Sequence, residues 1–208
     1  MQITKFLHSC LLVEEADKTI LFNPGNFTYD AKVFAVNILE KLDYLLITHE
    51  HPDHCYPPFI KEILQKFPDV KIISNQSVVE LLKKENITAS ADGDEIVKIT
   101  PVPHGRVFDR EAPANVMFEV FDRLADPGDS LDFTTAKEIL ALPLLGPSWT
   151  VTHAAEKAVE LKPKIVVPIH DWHWKDEARK DYYKRLTNFF AEKGIVFKPL
   201  ETGEIIEV

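Results

Sequence analysis

Short apolar runs alternate with amphipathic stretches along the chain, and each period predicts an element. Ile3 to Val13 and Thr19 to Phe22 have strand composition, parted by the polar turn Glu14-Glu15-Ala16-Asp17-Lys18. Asn23-Pro24-Gly25 ends the second of these strands. Leu42 to Thr48 is almost continuously apolar, as suits a strand buried on both faces. After Pro57-Pro58, the residues Phe59, Ile60, Ile63, Leu64 and Phe67 recur at helical spacing, and proline is tolerated in a first helical turn. Val70 to Ser74 predicts a strand, Ser77 to Glu85 a helix, and Asp94 to Val102 and Asn115 to Phe121 two more strands. Thr152 is placed to cap a helix running to Leu161, and Lys164 to Ile169 is a second buried strand. In the last helix Ala178, Tyr182, Leu186, Phe189 and Phe190 form the apolar face, with Gly194 as its stop. Val196 to Leu200 and Glu204 to Val208 close the chain as strands. Strands interleaved with helices predict a layered α/β architecture with a single core.

Composition narrows the function classes. The 208 residues carry 24 Lys and Arg against 33 Asp and Glu, a net charge of −9, which disfavours nucleic acid and anionic membranes as partners. No apolar run reaches the length of a membrane-spanning helix, and the first residues lack the layout of a secretory signal. Two cysteines, Cys10 and Cys55, make no disulfide framework, so a reducing, cytoplasmic setting is expected. Glycine-rich linkers and internal repeats are absent from the sequence.

Eight histidines are present, and they are unevenly spread. Thr48-His49-Glu50-His51-Pro52-Asp53-His54 offers three histidines and an aspartate as metal ligands directly after a predicted buried strand. A loop leaving the carboxyl end of a strand is where side chains can converge on one point. Neutral imidazoles and a carboxylate suit a borderline cation such as zinc. Histidine and aspartate crowded this closely gain little without a shared ion, which weighs against a merely solvated loop.

These residues make the chain resemble the metallo-β-lactamase fold superfamily of metal-dependent hydrolases, and within it the small single-domain branch of L-ascorbate-6-phosphate lactonase-like proteins. The resemblance runs from Ile3-Thr4-Lys5-Phe6-Leu7-His8-Ser9-Cys10 and Ile20-Leu21-Phe22-Asn23-Pro24-Gly25 through the histidine motif. It continues in Val102-Pro103-His104-Gly105 and Pro127-Gly128-Asp129-Ser130, and ends at Val167-Pro168-Ile169-His170-Asp171. It implies a four-layer αββα sandwich formed by residues 1–208 as one hydrolase domain. Carried over position by position, it implies that His49, His51 and His104 hold one divalent metal ion. Asp53, His54 and His170 would hold a second, and Asp129 would bridge the two. Zinc is the expected ion, with manganese or iron as alternatives, and a hydroxide bridging the metals would be the nucleophile. Asp53 and Asp129 are then the catalytic carboxylates, with Asp53 orienting the hydroxide. Taken alone, His104, Asp129 and His170 are as readily hydrogen-bonded surface groups.

The chain departs from the family pattern in two places. Asn23 stands where aspartate is usual, and Cys55-Tyr56-Pro57-Pro58 stands where glycine is common. Neither change removes a ligand. Several further residues favour plain roles: His8 as a packed strand histidine, Cys55 as a small semi-buried thiol, and His153 as a solvated group. Trp172, His173 and Trp174 suit a pocket wall and packing on the last helix equally. Arg106 and His173 are the cationic candidates for an acidic substrate, and Tyr56 or His173 the candidates for a general acid.

Three functions fit the residues. The first is hydrolysis of a small lactone, ester or phosphodiester, with an anionic substrate allowed. The others are an iron-dependent oxidation on the same fold and a non-catalytic binding protein whose loops are held by metal. Only 41 positions separate Asp129 from His170, too few for the inserted domain of nucleic-acid-processing members. A homo-oligomer is compatible with the sequence.

Overall fold

The computed structural model describes residues 1–208. In chain order the strands are β1 (Gln2–Lys5), β2 (Leu11–Glu15), β3 (Lys18–Phe22), β4 (Tyr44–Leu46), β5 (Lys71–Ile73), β6 (Val97–Pro101), β7 (Val116–Val120), β8 (Leu124–Asp126), β9 (Ile139–Pro143), β10 (Ile165–Ile169), β11 (Val196–Phe197) and β12 (Ile205–Glu207). The helices are α1 (Asn26–Asp30), α2 (Pro57–Lys66), α3 (Gln76–Lys84), α4 (Val151–Leu161) and α5 (Asp176–Ala191). None is long and apolar enough to cross a membrane. The chain divides into two compact units, Met1–Glu95 with Leu200–Val208, and Ile96–Pro199.

The first unit holds a mixed sheet in the order β12-β1-β2-β3-β4-β5. Its β12, β1, β2 and β3 run antiparallel, whereas β3, β4 and β5 run parallel. The continuous apolar run from Tyr44 to Ile47 is buried at every position, as a strand covered on both faces requires. Helices α2 and α3 bring Phe59, Ile60, Ile63, Val78 and Leu82 onto Leu21, Leu45, Ile47 and Ile72. The expected strand over Ile3 to Val13 is two strands: Phe6 to Cys10 form a tight turn closed by Phe6 N–H donating to Cys10 O (2.9 Å). His8 is therefore a turn residue with φ 62°, which corrects its reading as a strand histidine.

In the second unit the order is β11-β10-β9-β8-β7-β6, with β6, β7 and β8 antiparallel and β8 to β11 parallel. Ala154, Ala155 and Ala158 of α4 and Tyr183, Leu186 and Phe190 of α5 pack with Leu140, Leu142, Val166 and Phe197. Two local expectations change. Thr150, not Thr152, occupies the N-cap of α4, and its N–H donates to His153 Nδ1 (3.2 Å), so His153 has a capping role although exposed. The apolar face of α5 is built on Tyr183; Ala178 and Tyr182 lie outside it. Gly194 does end the helical run, at φ 72°, and Ile195 N–H reaches back to Phe190 O (3.0 Å).

One buried-edge carboxylate in the first unit makes stability depend on pH. Burial alone would raise the Asp43 carboxyl, but the Thr19 N–H (2.9 Å) and the ammonium groups of Lys18 (3.1 Å) and Lys41 (3.4 Å) outweigh it and hold it below its ordinary range. A lowered folded-state value stabilises the protein above the unfolded value and is lost as pH falls through the folded one. Asp43→Asn is therefore expected to cost about 1 kcal/mol at neutral pH. The difference in Tm from wild type should begin to shrink as pH falls below the ordinary aspartate value of 3.8 and vanish only below the lowered folded-state value. Thermal melts of both proteins at neutral and acidic pH check this.

Candidate functional site

In the first unit the chemistry-bearing loop leaves the carboxyl end of β4, where parallel strands commonly present ligand residues. Its first half is organised by one hydroxyl. Thr48 N–H and Thr48 Oγ1–H both donate to Asn23 Oδ1, each at 3.0 Å. That commits the only proton of the hydroxyl, so His49 Nδ1 (3.1 Å) and His54 Nδ1 (3.2 Å) must donate to Thr48 Oγ1. Both rings are thereby fixed in the Nδ1–H form, with the lone pair on Nε2. His49 and His54 are fully buried, and His49 Nε2 lies 3.2 Å from His51 Nδ1.

The loop is tied down elsewhere by backbone. Asn26 N–H donates to Pro52 O (2.9 Å), and Tyr56 N–H to Pro24 O (3.2 Å). Between these bonds a Cβ on Gly25 would stand 1.7 Å from Asp53 O, so glycine is required for the close approach of two chain segments. Asn75 Nδ2 holds Thr48 O (3.0 Å) while its Oδ1 caps α3 through Val78 N–H (3.1 Å). Asp53, one-fifth exposed, has its Oδ2 3.0 Å from His8 Nε2 and 4.0 Å from His54 Nε2. Cys55 is a packing residue of the helix-side core. Burial first, then the Glu50 charge, pushes its thiol up to about 12, which keeps it a neutral thiol. Tyr56 also packs on that core, against Tyr29.

The second unit carries His104 after β6, Asp129 after β8 and His170 at the end of β10, all three buried. His104 Nδ1 lies 2.6 Å from Gly105 O, and His170 Nδ1 is bonded to Leu145 O. A carbonyl only accepts, so both rings carry their proton on Nδ1 and their lone pair on Nε2. Those Nε2 atoms face one carboxylate: Asp129 Oδ2 is 3.5 Å from His104 and 2.8 Å from His170. Lone pair against carboxylate oxygen is repulsive unless a proton or a cation stands between them. The donor chemistry therefore fits a metal ion in this unit, as the paired imidazole donors do in the first.

Asp129 is held by its backbone, Gly105 N–H donating to Asp129 O (2.7 Å) and Asp129 N–H to Asn115 Oδ1 (3.4 Å). A Cβ on Gly105 would meet the Trp149 ring at 2.2 Å, so that glycine keeps the indole against the His104 segment. After His170, the Asp171 carboxylate accepts from the buried Tyr183 hydroxyl, anchoring the turn to α5. Trp174 stacks on Tyr182 (4.7 Å) and so packs on the last helix, whereas Trp172 and His173 are exposed, as is Arg106. The sequence pattern gives His8 a packing role, and it does not point to the supporting residues Asn75 and Asn115 as a pair. Asparagine directly before a helical run is a readable cap signal for Asn75; nothing in the sequence marks Asn115.

Residues 2–170 match the family model described as "Beta-lactamase superfamily domain". The chain belongs to the β-lactamase superfamily. Among curated proteins this superfamily member is 30% identical over 200 residues to Protein Rv0786c of Mycobacterium tuberculosis, covering 90% of this chain and 92% of that one. It is 25% identical to the UPF0173 metal-dependent hydrolase NEQ378 of Nanoarchaeum equitans, with both chains covered in full. Among solved structures it superposes on the metallo-β-lactamase fold protein YhfI from Bacillus subtilis with a TM-score of 0.71 and 14% identity, covering 99% of this chain and 98% of that chain. The fold is thus the metallo-β-lactamase α/β sandwich that the family resemblance implies.

Proposed function

We propose that the protein uses two divalent metal ions to hydrolyse a small lactone, ester or phosphodiester. Metal-dependent hydrolysis itself goes with the superfamily and with full-length relatives that bear that name. In this reading His49, His51 and His104 would hold one ion and Asp53, His54 and His170 the other, with the Asp129 carboxylate proposed to serve both. Zinc is the ion proposed, because neutral imidazoles with carboxylates suit a borderline cation, with manganese and iron as the alternatives. Paired divalent ions lower the pKa of water, polarise a carbonyl or phosphoryl oxygen and stabilise a leaving oxygen.

The chain's own residues do the rest. Thr48, with Asn23 behind it, fixes the tautomers of His49 and His54, and the Gly105 and Leu145 carbonyls do the same for His104 and His170. Imidazoles pre-set in this way need no reorganisation on binding an ion. Asp53 is assigned the task of orienting the attacking water. The 208 residues are proposed to act as one catalytic domain.

The observation that carries the reading is the lone-pair side of two buried histidines turned on the Asp129 carboxylate. Elemental analysis of the purified protein is expected to find about two equivalents of zinc, manganese or iron per chain. A panel of lactones, phosphodiesters and thioesters should then reveal turnover that chelation removes. Undiminished turnover in metal-free protein would overturn the reading. Iron content with dioxygen consumption, and no hydrolysis of any panel member, would replace it by an oxidation.

A further inference from the structure

His8 lies outside the ligand set that the motifs supply, yet the fold delivers it to that set. Its side chain is buried, and its Nε2 stands 3.0 Å from Asp53 Oδ2, with His54 Nε2 4.0 Å from the same oxygen. One ligand atom from each of His8, Asp53 and His54 lies within 4.8 Å of the others. Atoms bound about 2.0–2.2 Å from one zinc at 90–109° are about 2.8–3.6 Å apart, so the His8–Asp53 separation suits two donors of one ion. The His8 ring is set edge-on to Phe27 (5.2 Å) and to His54 (5.5 Å), which limits its rotation.

The backbone gives a second line of argument. His8 takes the left-handed conformation at φ 62°, a strained choice for a side chain of its size unless the surroundings impose it. They do so from two sides. Thr28 Oγ1–H donates to Leu7 O (3.2 Å), and Asn23 Nδ2 reaches Ser9 O (3.5 Å). Asn23 is also the anchor of Thr48, so a single side chain ties the His8 turn to the histidine loop.

We propose that His8 is a further metal ligand, acting with Asp53 and His54. The proposal rests on the two-metal reading above, and its test separates the two. Apoprotein is titrated with Co(II), which reports ligand number through its visible absorption and through hyperfine-shifted imidazole N–H resonances. Wild type is expected to show six such resonances, from His8, His49, His51, His54, His104 and His170. Five resonances overturn the proposal and leave the two-metal reading standing. Failure of wild type to bind Co(II) overturns both.

His8→Ala and His8→Gln are then titrated alongside. Each is expected to weaken one Co(II) site at least tenfold and to change its absorption band, leaving the other site as in wild type. Glutamine keeps an N–H donor for Asp53 but has no imidazole. Recovery of wild-type affinity and spectrum in His8→Gln would therefore make His8 a clamp on Asp53 and overturn its place as a ligand. The resonance count on wild type decides the matter even if neither variant folds.

Discussion

Asp129→Ala is expected to abolish turnover and to leave at most one metal equivalent per chain. The carboxylate faces two imidazole lone pairs, at 3.5 and 2.8 Å, and is itself buried. In the two-metal reading it is the one side chain shared by both ions. Its removal weakens both sites at once, whereas the loss of a terminal histidine weakens one. A fall in turnover of more than about 10³-fold is expected, the scale of losing a principal electrostatic group from an active site. Elemental analysis and turnover on the best panel substrate check this together. Unchanged metal content with normal turnover would refute the bridging role.

Gly25→Ala should be the most damaging small substitution in the first unit, although residue 25 carries no chemistry. An added Cβ would stand 1.7 Å from Asp53 O and 2.2 Å from Asp53 C, so backbone rather than a pliable side chain must move. Overpacking of this kind costs about 2–4 kcal/mol. In a chain of this size that is a fall in Tm of about 5–15 °C. The displacement is centred on Asp53, so metal affinity is expected to drop together with stability. Thermal melts and Co(II) titration of the variant measure the two effects. A variant with wild-type Tm and wild-type affinity would show that the loop accommodates the methyl group.

Much of this was legible in the sequence, and the misses have physical causes. The runs Leu42–Thr48 and Lys164–Ile169 were readable because a strand buried on both faces needs no alternation, only uninterrupted apolar character. Strand β8, Leu124–Asp126, is too short to display any period, and β9 ends in proline, which argues against a strand when read alone. On α5 the buried face keeps the expected Leu186 and Phe190 but takes Tyr183 where the pattern points to Tyr182, two residues that are adjacent and chemically alike. Packing decides between them: Tyr183 meets Phe197 and bonds Asp171, while Tyr182 stacks on Trp174. Composition carries none of that information.

The histidine motif was readable because its residues are contiguous. His104, Asp129 and His170 needed the family resemblance to join them, since each is ambiguous alone. His8 was undervalued for a different reason. A histidine inside an apolar run reads as core, and only the tight turn at Phe6 to Cys10 takes it out of the strand and aims it at Asp53.

The pairing of β1 with β12 has a consequence for synthesis on the ribosome. Thr4 sits opposite Ile205, so the strand that covers this flank of β1 is made about 200 residues after β1 itself. At about 5–20 residues per second, β1 waits roughly 10–40 s after its own emergence with an uncovered row of backbone donors and acceptors. During that interval the first sheet can assemble from β1 to β5, but its flank stays open to a neighbouring nascent chain. Expression at low temperature, which lengthens the wait, is where association through that flank would be most pronounced.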